Sequence, residues 1–199
     1  MKKIFLLLIF IVLTNSILAQ TRSLVGYWQN WQDSQSPYIH LTQIDTTYSV
    51  IEVSFAVPQG GTTYNMSFTP DAVSQATLIA QIDSMKARGK KVVISIGGAT
   101  APVILHNATE MSTFVSSMTG IINTYHFDGI DIDLENSTSL TGGTIANPVD
   151  APIINLIEGI KQLMTNFRNT HHKKMYLTMA MLGNLKHIKL GNINWLTIL

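Results

Sequence analysis

FDGIDIDLE, residues 127 to 135, sets three acids at a spacing of two among hydrophobic residues. Successive side chains of an extended strand alternate faces, so Asp131, Asp133 and Glu135 share one face while Ile130, Ile132 and Leu134 share the other. At about 3.3 Å rise per residue the carboxylates stand in a row roughly 7 Å apart. Like charges held that close resist ionising together, so at least one pKa is expected to rise and leave a protonated acid near neutral pH, which is how a carboxyl general acid is made. The wholly aliphatic opposite face, with Phe127 and Gly129 at the entry, argues for a strand in a packed core and against a solvated face. A calcium loop of the EF-hand type is excluded, because its sixth position needs glycine and Asp133 stands there with isoleucines between the acids. A carboxylate-only magnesium site stays open, but acid–base chemistry at a glycosidic bond fits the row better.

Outward from this segment, apolar runs of strand length alternate with segments of helical period. The expected strands are Leu24 to Trp28, Tyr48 to Val57, Lys91 to Ile96, Asp128 to Glu135 and Met175 to Met181, all rich in aliphatic or β-branched residues. Helices are expected over Asp71 to Arg88, opened by Pro70 and stopped by Gly89; over Thr109 to Tyr125; and over Asp150 to His171, with Asp150 as cap and Pro152 in the first turn. This βα alternation is the α/β pattern of a parallel sheet covered by helices, either doubly wound or a TIM barrel. Carboxylates running toward the C-terminal end of a strand favour the barrel, whose chemistry sits at that rim, and no GxGxxG follows the first strand.

Composition narrows the partners. With 13% charged residues and a net charge of +1, the 199-residue chain has no basic stripe for nucleic acid and suits a neutral polymer. Lys2 and Lys3 precede an apolar run from Ile4 to Leu13 and a small-residue region ending at Ala19, which describes a secretory signal peptide over 1–19 and a domain over 20–199. The run is short against the about 20 residues of a membrane span, so no membrane association is expected after cleavage. There is no cysteine, hence no disulfide framework, and an exported chain of this kind relies on packing alone.

Several segments together resemble glycoside hydrolase family 18, the chitinases and related endo-N-acetylglucosaminidases. DGIDIDLE (128–135) is similar to the family's DxxDxDxE on the fourth barrel strand and SIGG (95–98) to its SxGG on the third; VGYWQNW (25–31), SFAVP (54–58) and YLTMA (176–180) resemble the first, second and fifth strands. The resemblance implies a secreted glycosidase acting on β-1,4 N-acetylglucosamine linkages of chitin by a substrate-assisted retaining mechanism. Glu135 is then the acid, Asp133 orients the substrate's acetamido group and balances its developing charge, and Asp131 shares or relays a proton behind it. Tyr27, Phe55, Gly97, Gly98 and Met179 match substrate-binding positions, and Asp128 matches the first acid of the motif. No metal or cofactor is required, and a monomer binding chitin or its oligosaccharides is expected. The alternatives are an endo-β-N-acetylglucosaminidase on glycoprotein glycans, or an inactive chitin-binding remnant.

Two features depart from the pattern. A barrel needs about 250 residues in eight strands, and five are legible here, so the domain reads as incomplete after the fifth. The family continues its fifth strand with Pro-Glu, whereas Met181-Leu182-Gly183 follows here, and the later tyrosine and tryptophan of the family's sugar site have no match; Trp195 does not qualify by context. Glu52, an acid inside an apolar strand, is unexplained: it reads equally as an acid behind the site or as a tolerated rim residue.

Overall fold

The computed structural model describes residues 23–135, 142–144 and 146–180. In chain order these form β1 (Leu24–Gln29), β2 (Tyr48–Pro58), β3 (Met66–Ser67), α1 (Gln75–Ala87), β4 (Lys91–Gly97), α2 (Ala108–Tyr125), β5 (Gly129–Asp133), α3 (Ala151–His171) and β6 (Tyr176–Met179). Five strands are parallel and lie in the order β1-β2-β4-β5-β6, each beside its predecessor among them. A doubly wound sheet would reverse its order at a switch point; this one advances in a single sense, as a barrel does. The fold is an α/β TIM barrel, incomplete, with five of the eight strands among the described residues.

The helices form where period and end signals coincide. α2 buries Phe114, Val115, Met118, Ile121, Ile122 and Tyr125 on one stripe, and α3 buries Leu156, Ile160, Leu163 and Phe167. These pack on Ile94, Ile96, Ile130 and Ile132, the outward faces of β4 and β5, in one continuous core. Gly129 lets β5 and β6 pair at all, because a Cβ there would lie 1.9 Å from the Tyr176 carbonyl oxygen.

Several boundaries differ from the sequence expectation. α1 starts at Gln75 instead of Asp71, because the Ser74 hydroxyl accepts the Thr77 N–H and satisfies the first turn, while Asp71 N donates to Asn30 Oδ1. Asp150 precedes α3 without a capping side-chain bond; one of its oxygens accepts Gly142 N instead. β3, a two-residue antiparallel partner of the end of β2, is too short to carry a sequence period. β5 ends at Asp133 instead of Glu135, since the ladder closes with Gly98 N donating to Asp133 O and Ala180 N to Ile132 O. Residues 1–19 and 181–199, where the signal peptide and the divergent tail are placed, lie outside the described residues, among which no helix is long and apolar enough to cross a membrane.

Candidate active site

Parallel register decides which side chains meet inside the barrel. Ser95, Asp131 and Thr178 occupy one level across β4, β5 and β6, while Tyr27, Glu52 and Val93 occupy one level across β1, β2 and β4. Asp131 is fully buried and accepts three hydroxyls: Tyr27 Oη at 2.8 Å and Ser95 Oγ at 2.7 Å on Oδ2, and Thr178 Oγ1 at 2.8 Å on Oδ1. Burial, and then the Asp131 charge and hydrogen bond, push the Tyr27 phenol above its ordinary value, so it stays protonated and donating.

Asp133 sits two residues further along the same face, 9% exposed, in register with Gly97. Burial raises its pKa, and the charges of Glu135 and Asp131 raise it further. The mutual repulsion expected from the row is thus felt at its middle member. Glu135 lies beyond the end of β5, exposed at the C-terminal rim of the barrel, a more open position than the last residue of a strand.

The glycines of SIGG have separate steric roles. A Cβ on Gly97 would come within 2.3 Å of the Asp133 carbonyl, and at Gly98, with φ of +79°, the Phe55 ring lies where a side chain would grow. Phe55, whose peptide bond to Ser54 is cis, also lies near the rings of Tyr27 and Trp31, each at 6.2 Å between centroids. Beside them opens a cleft of about 420 Å³ lined by Asn30, Trp31, Phe55, Asp71, Gly97 and Gly98 among others. Met179 is placed apart from this group: it is in register with Ile132, shares the helix-facing side of the sheet, and is 38% exposed.

Asp128 belongs to the opposite end of the strand. Its carboxylate accepts Lys173 Nζ at 2.9 Å and the Val92 N–H at 3.3 Å, with Lys86 Nζ at 3.6 Å, and so ties β4, α1 and the entry to β6 together. Two donors to Asp131, Ser95 and Thr178, were not assigned a role from sequence, although both fall inside the motifs SIGG and YLTMA. The signal that finds them is register, which places hydroxyls on both neighbouring strands at the level of one acid. Among the described residues no group of three or more His, Cys, Asp and Glu is placed to hold a metal ion.

A buried carboxylate braced by hydroxyls, a perturbed acid above it and an exposed acid at the rim form a graded arrangement of the kind acid-assisted chemistry on a polar ligand requires. Residues 23–196 match the family model of glycosyl hydrolases family 18, and the chain belongs to that family. The match runs on through 181–196, beyond Ala180 where the motif resemblance fades. Among its relatives are Chitinase Chi52 of Paenibacillus xylanexedens, 40% identical over 150 residues, and Chitinase D of Niallia circulans, 40% identical over 148 residues; these alignments take in 74% and 72% of this chain and 28% of each relative. The crystal structure of a family GH18 chitinase from Chromobacterium violaceum superposes with a TM-score of 0.67 at 39% identity, over 79% of this chain and 40% of that one. The chain therefore spans well under two thirds of the length of the proteins it matches.

Proposed function

We propose that the protein is a chitinase, cleaving β-1,4 N-acetylglucosamine linkages with retention by substrate-assisted catalysis. The observation that carries this reading is the graded row of acids along and just beyond β5: Asp131 buried and braced, Asp133 raised in pKa between two acids, Glu135 open at the rim. Glu135 protonates the glycosidic oxygen, and the leaving sugar departs as the substrate's own acetamido carbonyl oxygen attacks the anomeric carbon. Asp133 takes the acetamido N–H as a hydrogen-bond donor and balances the charge of the resulting oxazolinium ion. Asp131, held by its three hydroxyls, fixes the row from below. Water then opens the ion from the same face, its proton returning to Glu135, which restores the enzyme. Trp31, Phe55 and Tyr27, with Gly97 and Gly98 beneath, offer an aromatic wall for sugar rings.

The same reading extends to the compartment. Residues 1–19 act as a cleaved signal, and the mature protein begins near Gln20 and leaves the membrane as a secreted monomer. The relatives named as chitinases support the substrate class. The test is to express the protein from its whole gene, supply N-acetylglucosamine oligomers, and resolve product anomers before they equilibrate. Products of β configuration are expected; α products, or no cleavage of any oligomer, would sink the proposal.

A further inference from the structure

Glu52 is a buried acid that the mechanism above does not use. It is 5% exposed on the lumen side of β2, at the level of Tyr27 and Val93; Tyr27, its partner across the β1–β2 ladder, bonds Asp131 through its phenol, and Asp131 and Thr178 are side-chain neighbours of the Glu52 carboxyl. The titratable groups facing it are Tyr27 from β1 and Asp131 and Asp133 from β5; β4 and β6 present the uncharged hydroxyls Ser95 and Thr178. Among the described residues no lysine, arginine or histidine forms an ion pair with it. Two carboxyls in contact in a buried site without a cation retain a proton between them. The hydroxyls decide which one holds it. Asp131 accepts from Tyr27, Ser95 and Thr178, and the Thr178 proton is directed at Asp131 Oδ1, so the negative charge is better solvated on Asp131 than on Glu52.

We propose that Glu52 keeps its proton into the neutral range and donates it to Asp131, acting as a positioning residue for the catalytic acids. Asp131 then has a fourth donor, and the row loses one negative charge. Asp133 is left with Asp131 and Glu135 as the charges acting on it, instead of a third beneath. Burial first, and the Asp131 charge second, push the Glu52 carboxyl up to about 7, in keeping with this assignment.

The effect on turnover rests on the chitinase reading, but the location of the proton does not, and the test separates them. In protein labelled with 13C-glutamate, the Glu52 Cδ resonance, assigned as the signal lost in Glu52→Gln, is followed through pH. A midpoint well above the ordinary glutamate value of about 4.3 is expected; a midpoint at that value overturns the proposal. In the turnover arm Glu52→Leu deletes the donor and should lower kcat roughly tenfold with KM little changed. Glu52→Gln should recover most of that loss, because its amide donates where the acid did. Equal kcat for the Leu and Gln variants overturns the positioning role. Should the unaltered protein cleave no N-acetylglucosamine oligomer, the chitinase reading fails and the titration still decides the proton's location.

Discussion

Tyr27→Phe removes one oxygen from the site and leaves the ring where it lies beside Phe55. The lost bond is 2.8 Å long and runs to the carboxylate of a fully buried aspartate. Hydrogen bonds to charged partners are worth about 1.5–3 kcal/mol. Because Tyr27 is 48% exposed, water can replace part of the bond, and a cost of about 1.5 kcal/mol is expected, at the low end of that range. Asp131→Asn should cost more, about 3 kcal/mol, since an amide nitrogen placed at either oxygen meets hydroxyls now oriented to donate. If the phenol acts through this carboxylate, the two changes are not independent. Urea unfolding of the protein, both single variants and the double variant closes a thermodynamic cycle. In the Asp131→Asn background Tyr27→Phe should cost about 0.5 kcal/mol or less, a coupling of about 1 kcal/mol. Additivity within about 0.3–0.5 kcal/mol, the behaviour of independent sites, would refute the claim that Tyr27 serves to brace Asp131.

Gly129→Ala should destabilise by about 3 kcal/mol or more, because its Cβ would meet the Tyr176 backbone at 1.9 Å; a denaturation midpoint equal to that of the unaltered protein contradicts the strand pairing. Asp133 and Glu52 should each contribute less to stability as pH rises from about 4 to about 7: the folded state raises the pKa of both, so at these two groups it binds protons more tightly than the unfolded chain and loses that advantage as pH climbs toward the folded-state values. The urea midpoint of Asp133→Asn, and of Glu52→Gln, taken relative to that of the unaltered protein, should therefore rise across this window, and a relative midpoint that fell would contradict the shifts. Secretion in a bacterial host should give a mature N-terminus near Gln20 by peptide sequencing, whereas Met1 retained in the membrane fraction would show an uncleaved anchor.

The acids were legible because a period of two needs no partner to be read: Asp131, Asp133 and Glu135 announce one face, and the aliphatic spacers announce the core behind it. The barrel followed from strands alternating with helices, and the advancing strand order agrees with it. What the one-dimensional pattern lacks is register. Nothing local in SIGG or YLTMA says that Ser95 and Thr178 stand level with Asp131, or that Tyr27 reaches across from β1 with its hydroxyl. Register also gives a place to Glu52, an anomaly in its own strand: it pairs with Tyr27, whose phenol bonds Asp131. β5 ends short of the sequence expectation for the same reason, since alternation continues to Glu135 in sequence but the neighbouring ladders stop at Asp133. Met179 shares a motif with Thr178 and yet faces the other way, a consequence of alternation on a strand whose inward residue was not known.

Glu135 is the acid proposed to protonate the leaving group. Glu135→Gln keeps the size and the hydrogen-bonding outline of an exposed residue beyond a strand end, so folding should be untouched. Turnover of N-acetylglucosamine oligomers by the protein expressed from its whole gene, with equal unfolding midpoints as the control, should drop by roughly 10²-fold or more, the scale of a lost general acid; an equally folded Glu135→Gln protein that turned over at the normal rate would contradict the catalytic assignment.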